Sequence, residues 1–519
     1  MHRPVRSLAG LLALGTLLAG CQVPAPTPSP AGDAIRLSAV PGPAVDRPTL
    51  PAVDPAVPGL VDGLPGDDLT SYLAQKLTWT DCKERTVCAS VLAPLDYADP
   101  SSRAVTLALR RLPASKSPKL GTLFINPGGP GGSGTDLVTR FATKGLEQYD
   151  VVGWDPRGVG GSTAVQCYGS ADAEAFTKLD GSPDTDAERV ALIQGTYAFD
   201  ASCWEHSGAL LEHISTIETV RDLNLLRTLL GDSELHYLGY SYGTQIGAYY
   251  AELYPGNVGR MVLDSAVDIT DNKDVIQAMG FDLALGNFAA WCAANSCSLG
   301  TTKDGVLRTI TALLDRLDGS PVPAGQRTLT QSLAVAGIAG MLYSGADAFE
   351  TLEQMIALAI RGDGRGLMYS ADNMNSRDNR GNYGGLFFSF PAISCLDSTD
   401  DTGVLAEDRT WVDNQQKAPI FGRYFGPSYG CDLWPVRPSL KLTPRGAGAK
   451  PIVVIGATGD SATPYQQAVD MARQLESGVL VTYDGFGHAT YGGKSACVDA
   501  LVVSYLVDAR VPADGTKCT

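Results

Sequence analysis

The stretch HYLGYSYGTQIGAYYAELYP, residues 236–255, places one serine, Ser241, where an apolar run changes into a helical pattern. The residues before it have the pattern of a short buried strand, and those after it carry small and aromatic side chains at helical spacing. A strand that reverses into a helix within two residues needs glycine on both sides, here Gly239 and Gly243, because larger side chains would collide with the neighbouring backbone. The pattern therefore predicts a sharp turn that pushes the Ser241 hydroxyl outwards.

This strand-turn-helix arrangement is the G-x-S-x-G nucleophile elbow of α/β-hydrolases. We therefore predict an α/β protein with the α/β-hydrolase fold, in which Ser241 acts as the nucleophile. A turn serine in another kind of α/β protein is the alternative interpretation of the same motif. The strand and helix on either side of the serine favour the elbow.

The composition limits the class of protein. The chain has 519 residues, of which 44% are hydrophobic and 18% charged, so it can bury a large core. Its length corresponds to two or three domains. The formal net charge of −16 argues against a nucleic-acid partner, because a phosphate-binding surface needs a basic face.

The N-terminus has the pattern of an export signal. Arg3 and Arg6 precede an apolar stretch from Leu8 to Leu18, and LAGC follows, ending at Cys21. The apolar stretch is too short for a membrane-spanning helix. LAGC resembles the lipobox of bacterial lipoproteins, which implies a signal peptide over residues 1–21, cleavage before Cys21 and acylation of that cysteine. An ordinary signal with a chance cysteine is the alternative.

Residues 22–65 are rich in proline and alanine and nearly free of aromatic residues. Such a segment cannot bury enough surface to order itself, so we predict a semi-extended tether between the membrane and the catalytic body. No later stretch is long and apolar enough for a transmembrane helix. We expect the mature protein to be exported, and either lipid-anchored to the cell envelope or secreted.

The cysteine count is consistent with export. Eleven cysteines are present, and ten remain after Cys21. An even number in an oxidising compartment favours disulfides, although the sequence alone allows many connectivities. We predict that neighbours in the sequence pair: Cys82 with Cys88, Cys167 with Cys203, Cys292 with Cys297, Cys395 with Cys431 and Cys497 with Cys518. A zinc site is disfavoured because histidines are nearly absent nearby.

A serine nucleophile needs a base, which is nearly always histidine. Of the five histidines, His2 leaves with the predicted signal and His236 lies in the strand before the elbow. His206 and His213 lie upstream in a helical stretch. Only His488 follows the serine, in the strand and glycine-rich loop VLVTYDGFGHATYGG, where the order serine, acid, histidine requires it. We predict that it is the base; a surface-loop histidine is the alternative.

The third member of the triad orients the imidazole. The apolar strand at 451–456 ends in a loop that carries Asp460. Asp484 is the rival, but it precedes His488 by only four residues and would reach the ring nitrogen with difficulty. We predict Asp460 as the acid, with Thr463 either capping the next helix or holding the aspartate.

The oxyanion needs two backbone donors. We predict the Tyr242 N–H and the Gly129 N–H, the latter in a glycine-rich loop after a strand at 122–126. Residues 129–134 also match the dinucleotide fingerprint G-x-G-x-x-G, with Asp155 about 20 residues further on as that motif requires. An exported chain would meet no nicotinamide cofactor, so we favour the oxyanion loop and predict neither a cofactor nor a metal.

Six motifs together resemble the actinobacterial secreted tripeptidyl aminopeptidases, in the proline-iminopeptidase branch of serine α/β-hydrolases: NPGGPGGSG, WDPRGVGGS, GYSYGT, AISCLD, GATGDSATP and GFGHA. The resemblance covers about residues 70–519. It implies a serine exopeptidase that removes short peptides from free N-termini, with Ser241, Asp460 and His488 as the triad. It also implies NPGGPGG as the oxyanion loop and a lid inserted after the nucleophile. The chain departs from the branch at Asn126, where the motif of the branch begins with histidine.

The spacing of the catalytic residues supports the lid independently. Ser241 and Asp460 are 219 residues apart, whereas two or three β-α units need roughly 30 residues each. We predict a mostly helical lid over residues 266–435, between hydrolase halves at 66–265 and 436–519. Its leucine and isoleucine stripes are interpreted as core packing.

Three functions remain open at this point. The first is an exported aminopeptidase in which lid acids between Asp347 and Asp397 hold the substrate amine; Asp397, in AISCLD, is the named candidate. The second is a carboxylesterase or lipase with the same triad. The third is a binding lipoprotein on an inactive hydrolase scaffold, which the complete set of catalytic residues disfavours.

Overall fold

A computed structural model describes residues 49–398, 403–437 and 440–519. The predicted signal peptide of residues 1–21, with Cys21, lies outside these residues, and so does the first part of the predicted tether. Within the described residues the chain forms thirteen β-strands and seventeen α-helices.

The strands are β1 (Leu60–Asp62), β2 (Thr80–Asp81), β3 (Val87–Pro94), β4 (Arg103–Leu112), β5 (Gly121–Asn126), β6 (Tyr149–Trp154), β7 (Leu235–Tyr240), β8 (Val258–Asp264), β9 (Val322–Ala324), β10 (Arg327–Leu329), β11 (Ile452–Gly459), β12 (Gly478–Phe486) and β13 (Thr516–Cys518).

The α-helices are α1 (Thr70–Leu73), α2 (Gly134–Arg140), α3 (Ser170–Phe176), α4 (Asp186–Ser207), α5 (Thr216–Leu229), α6 (Tyr242–Leu253), α7 (Gln277–Ala294), α8 (Lys303–Gly319), α9 (Gln331–Leu342), α10 (Phe349–Ile360), α11 (Arg365–Met374), α12 (Leu386–Asp397), α13 (Val404–Lys417), α14 (Phe421–Tyr424), α15 (Gly430–Leu433), α16 (Tyr465–Gln474) and α17 (Ala496–Asp508). Short 3₁₀ helices lie at Gly208–His213, Pro255–Asn257 and Gly345–Ala348.

The main sheet has the strand order β13-β12-β11-β8-β7-β5-β6-β4-β3-β2, and β1 pairs with β4. The strands from β13 to β6 in this order run parallel, and β4, β3, β2 and β1 are antiparallel to their neighbours. Parallel strands are buried on both faces, which is why their sequences are continuous apolar runs. The predicted α/β-hydrolase fold is confirmed.

Alternate residues of each central strand enter two different cores. Phe124 and Tyr237 lie in the core on one face of the sheet, whereas Leu123 and Leu238 lie in the core on the other. The carboxyl ends of these strands lie along one edge, where loops can carry catalytic side chains. The elbow and both other predicted catalytic loops follow strands of this parallel part.

Helices α7 to α15 and the hairpin of β9 and β10 lie between β8 and β11 in the chain. Helices α7 to α11, α14 and the hairpin share a hydrophobic core of their own, in which Phe281, Phe288 and Leu333 are buried. The leucine and isoleucine stripe of α8 is buried in this core, as the sequence predicted. Helix α12 instead contributes Phe388 and Ala392 to a core of the main sheet. These helices fall within the predicted lid of residues 266–435.

Helix α4 belongs to the N-terminal half of the chain but contacts the lid. Arg189 donates two hydrogen bonds to Asp408 of α13 through Nε and Nη2, and the Tyr429 hydroxyl donates to the same carboxylate. Near the start of α4, Ser182 Oγ donates to Gln331 Oε1 of α9 at 2.6 Å. Residues that precede the nucleophile in the chain therefore help to hold the lid. The predicted lid bounds of 266–435 did not indicate these contacts.

The described end of the predicted tether lies against the catalytic body. Strand β1 pairs with Arg103–Val105 of β4, and Trp204 Nε1 donates to the Pro51 carbonyl at 2.8 Å. Residues 49–65 are therefore not a free spacer along their whole length. Across the described ranges, the structure contains no helix of the length and apolarity that a membrane crossing requires.

The five predicted disulfides are confirmed. Cys82 pairs with Cys88, Cys167 with Cys203, Cys292 with Cys297, Cys395 with Cys431, and Cys497 with Cys518. The Cys395–Cys431 disulfide joins α12 to α15 within the lid.

A buried ion pair connects the loop after β6 to the end of β3, the 3₁₀ helix at Gly208–His213 and helix α5. Arg157 and Asp222 are fully buried, and the guanidinium donates to both carboxylate oxygens at 2.7 Å. The remaining donors of Arg157 bond to the carbonyls of Pro94, Leu95 and His213 at 2.8 Å. Every hydrogen bond of this guanidinium is therefore made inside the protein.

We expect Arg157→Leu to lower the free energy of unfolding by about 3 to 5 kcal/mol, because it leaves the Asp222 carboxylate buried without its partner. Urea unfolding followed by circular dichroism measures the loss. The control is Arg445→Ala, since Arg445 forms an exposed pair with Glu476 and should contribute about 1 kcal/mol or less. Equal losses in the two variants would contradict the structural role assigned to the buried pair.

Candidate active site

Ser241 lies at the turn between β7 and α6, as the elbow motif predicts. Its φ of 54° is in the left-handed region, a strained conformation for a residue with a side chain. A Cβ atom at Gly239 would lie 2.4 Å from the Gly243 carbonyl oxygen, and one at Gly243 would lie 2.9 Å from Asn126 Oδ1. The steric reason for the two glycines is therefore confirmed.

The structure joins His488 to Asp460, the predicted acid. His488 Nδ1 lies 2.8 Å from Asp460 Oδ1 and 3.1 Å from Oδ2. The N–H groups of Ala462 and Thr463 donate to Asp460 Oδ1 at 2.9 and 3.0 Å. Burial by itself would raise the pKa of Asp460, but the charge of His488 and these hydrogen bonds outweigh it and hold the pKa below its usual range. Asp460 is therefore fixed as an anion beside the imidazole.

The rival acid, Asp484, lies elsewhere. It is exposed and accepts a hydrogen bond from Thr458 Oγ1 at 2.9 Å. Thr463, in contrast, contacts both members of the pair: its N–H donates to Asp460, and its Oγ1 lies 3.3 Å from His488 Nδ1. Of the two functions considered for Thr463, the geometry favours holding the aspartate.

A residue of the lid also contacts the histidine. The His488 N–H donates to the Tyr343 carbonyl at 3.0 Å, and the two rings meet edge to face with 5.3 Å between their centroids. Nothing in the sequence near either residue indicated this contact.

The glycine-rich loop after β5 presses against the elbow. A Cβ atom at Gly128 would lie 2.4 Å from the Tyr240 carbonyl oxygen and 2.9 Å from Ser241 Cβ, so only glycine fits there. The Gly128 N–H donates to Asn126 Oδ1 at 2.8 Å and is not available to a substrate. Gly129, the predicted oxyanion donor, lines the same cavity as Ser241 and Tyr242.

Asp155, the acid of the dinucleotide interpretation, is used by the protein itself. It is buried and accepts hydrogen bonds from Ser133 Oγ at 2.8 Å, the Thr135 N–H at 3.0 Å and the Gly161 N–H at 2.8 Å. These bonds fix the start of α2 against the end of β6. The carboxylate thus has a structural role in the loop.

Ser241 lines a cavity of about 430 Å³ between the sheet edge and the lid. Its walls come from the elbow, the glycine-rich loop, the segment after β8, helix α12, the loop after β11 and the start of α16. They are formed by Gly129, Pro130, Tyr242, Gln245, Tyr249, Val267, Asp268, Ile269, Asp271, Gln277, Phe390, Ser394, Asp397, Ser398, Lys441, Leu442, Ala462, Thr463 and Gln467.

Three carboxylates lie in this wall, and each has hydrogen-bond or ion-pair partners within the protein. Asp268 accepts hydrogen bonds from Thr270 and Asn272 within its own loop, and Asp271 forms an ion pair with Lys441. The third, Asp397, is the residue that the sequence named as a candidate for binding the substrate amine.

Asp397 is partly buried at the end of α12. It accepts the Thr216 N–H at 2.9 Å and the Thr216 hydroxyl at 2.5 Å. Burial raises its pKa to about 6, although the hydrogen bonds from Thr216 oppose the shift. The Thr216 hydroxyl also contacts the hydroxyl of Tyr242, the residue after the nucleophile. The lid acid is thereby connected to the elbow.

Comparison with known proteins agrees with this geometry. The family described as TAP-like protein matches residues 418–518, and the alpha/beta hydrolase fold family matches residues 121–304. Serine protease Hip1 of Mycobacterium tuberculosis is 36% identical over 86% of this chain and 91% of its own length. Carboxylesterase B of the same species is 33% identical over 90% and 95%, and tripeptidyl aminopeptidase of Streptomyces lividans is 29% identical over 85% and 86%. The chain therefore belongs to the tripeptidyl aminopeptidase family of serine α/β-hydrolases.

Proposed function

We propose that this protein is an exported serine exopeptidase that removes tripeptides or similar short peptides from free N-termini through an acyl-enzyme on Ser241. The observation that carries the proposal is that Asp397 lines the same cavity as Ser241, with its carboxylate oriented by Thr216. The names of two relatives, a serine protease and a tripeptidyl aminopeptidase, support it.

The chemistry follows from the arrangement around the elbow. Ser241 Oγ attacks the scissile carbonyl and gives its proton to His488 Nε2, while the Nδ1 side of the ring bonds to Asp460. The N–H groups of Tyr242 and Gly129 stabilise the oxyanion. His488 then protonates the leaving amine, and a water activated by the same base releases the acyl group from Ser241.

Recognition of the free N-terminus depends on charge. The α-ammonium group of the substrate binds against the Asp397 carboxylate, which Thr216 fixes in place, at the lid side of the cavity. The attraction between two opposite charges is stronger in this partly desolvated position than in open water. The lid prevents a longer chain from passing through the cavity, so cleavage stops a few residues from the N-terminus.

We expect Asp397→Asn to lower kcat/KM for peptides with a free N-terminus by about 10² to 10³, because losing one member of a desolvated charge pair costs about 3 to 5 kcal/mol. N-acetylated peptides and simple esters lack the ammonium and should change much less. The measurement is steady-state kinetics on free peptidyl, acetylated peptidyl and acyl-ester chromogens. The control is Asp271→Asn, whose carboxylate pairs with Lys441 at the same cavity.

A second readout of the same proposal uses pH. Because burial raises the pKa of Asp397 to about 6, the carboxylate becomes neutral as the pH falls through that value. The ratio of kcat/KM for free over acetylated peptides should therefore fall in this range, because effects of pH on the shared catalytic residues cancel in the ratio. A flat ratio, or equal cleavage of acetylated and free peptides, would replace the aminopeptidase with an esterase, which the relative named Carboxylesterase B also favours.

Export is the remaining element of the proposal. The five disulfides of the described residues suit an oxidising compartment, and we propose that the mature chain begins at an acylated Cys21. Mass spectrometry of the N-terminal peptide from the membrane fraction should find a diacylglyceryl group on Cys21. An unmodified cysteine there would contradict the anchor.

A further inference from the structure

The last residue of β8 and its successor, Asp264 and Ser265, contact all three segments of the proposed triad. The Asp264 carbonyl accepts the N–H of Ser241 at 3.0 Å. The Ser265 side chain lies near the Asp460 carboxylate and helps to lower its pKa. The loop that follows His488 bonds to the side chains of both residues. Neither residue was identified by the sequence analysis.

Three consecutive amides of the histidine loop donate to these two side chains. The Ala489 N–H donates to Ser265 Oγ at 2.8 Å. The N–H groups of Thr490 and Tyr491 donate to Asp264 Oδ2 at 2.9 and 2.7 Å. The backbone immediately after the catalytic histidine is therefore held by side chains of the neighbouring strand.

Asp264 is a buried carboxylate, and one of its two oxygens accepts no hydrogen bond from the described residues. Its relative exposure is 0%, and within the described residues its Oδ1 has no hydrogen-bond partner. Burial raises its pKa to about 6, and the two N–H donors and the charge of His488 oppose that shift. A neutral side chain could accept the same two N–H groups at a smaller desolvation cost, so the hydrogen bonds alone do not explain a carboxylate here.

The titratable and charged groups around Asp264 come from three neighbouring segments. His488 and Lys494 lie in the loop after β12, Asp460 in the loop after β11, and Tyr240 at the end of β7. Lys494 donates to the His488 carbonyl at 2.8 Å, so its charge also lies in this loop. Two carboxylates thus interact with the imidazole of His488: Asp460 through a hydrogen bond, and Asp264 through its charge.

We propose that Asp264 and Ser265 are positioning residues that fix the histidine loop, and that the Asp264 carboxylate supplies a second negative charge that stabilises the imidazolium of His488. This inference rests on the triad proposed above. It does not depend on whether the substrate is a peptide or an ester, because both reactions form the same imidazolium.

The test is the pH dependence of labelling of Ser241 by a fluorophosphonate, a probe that needs the activated serine but no knowledge of the substrate. Asp264→Asn keeps the shape of the side chain and an oxygen for Thr490 and Tyr491. We expect a labelling rate about tenfold lower and an acid limb about one pH unit lower, because the imidazolium loses a neighbouring negative charge. Either an unchanged profile or a rate loss without a shift of the acid limb would overturn the inference.

The chain offers a matched control. Asp282 in α7 is a half-buried aspartate that also accepts two consecutive amides, those of Ile420 and Phe421 at 3.1 and 2.6 Å. Asp282→Asn should alter the thermal midpoint by an amount similar to Asp264→Asn but leave the acid limb in place. A shift of the limb in both variants would overturn the assignment to Asp264.

Two further measurements keep the inference testable. If Asp264→Asn does not fold, Ser265→Ala removes the acceptor of the Ala489 amide and should lower kcat about tenfold with KM unchanged. Unchanged kcat in that variant would overturn the inference. Ser241→Ala separates the two proposals. If the Ser241→Ala enzyme is fully active, the triad is refuted. If it is inactive and Asp264→Asn has the pH profile of the wild type, only the positioning role is refuted.

Discussion

We expect turnover to fall about 10⁶-fold when Ser241 is replaced by alanine, with the fold intact. The side chain lies at a strained positive φ on the cavity wall, and its removal leaves no atom that can form the acyl-enzyme. The residual rate then comes from substrate binding and the oxyanion donors alone. Steady-state kinetics measures the loss, and a fluorophosphonate should label the wild-type protein at this one residue.

Ser376→Ala is the matched control for this experiment. Ser376 also has a positive φ, of 50°, so the substitution carries a comparable backbone cost away from the cavity. Its kcat and its labelling should equal those of the wild type. Labelling of any other serine in the wild-type protein, or full activity of Ser241→Ala, would refute Ser241 as nucleophile.

Asp460→Asn should lower kcat about 10⁴-fold through the tautomer of the histidine. In the wild type, Asp460 accepts from His488 Nδ1 and from the N–H groups of Ala462 and Thr463. An asparagine that keeps Oδ1 toward those two amides puts an NH₂ donor in the place of Oδ2, which lies 3.1 Å from His488 Nδ1. A donor beside Nδ1 favours the tautomer in which Nδ1 accepts and Nε2 carries the proton, and in that tautomer the imidazole does not deprotonate Ser241.

Asp484→Asn is the control, because Asp484 is the other acid near the histidine in the sequence and bonds only to Thr458 among the described residues. Its kcat should stay within about twofold of the wild type, as expected for a surface substitution. Thermal midpoints of both variants check that they fold. A loss of 10³-fold or more in Asp484→Asn, with Asp460→Asn nearly active, would reverse the assignment of the acid.

The features that the sequence predicted depend on residues close together in the chain. Gly239 and Gly243 flank Ser241 within five positions, so the steric rule of the elbow is readable without the fold. The disulfides join cysteines at most 36 residues apart. The small number of histidines also helped, because elimination among five of them indicated His488 as the suitable base. Local spacing and elimination therefore identified the fold and the triad candidates.

The supporting residues depend on contacts that no local pattern contains. Thr216 and Asp397 are 181 residues apart, and Asp264 and Tyr491 are 227 apart. A buried aspartate at a strand end, or a threonine at the start of a helix, has the same local sequence whether or not it faces a catalytic loop. The burial and direction of such side chains are decided only when parallel strands bring their carboxyl ends to one edge and the lid closes over them. The sequence by itself thus determined the candidates for the reacting residues, and the tertiary structure decided which residues hold those candidates in place.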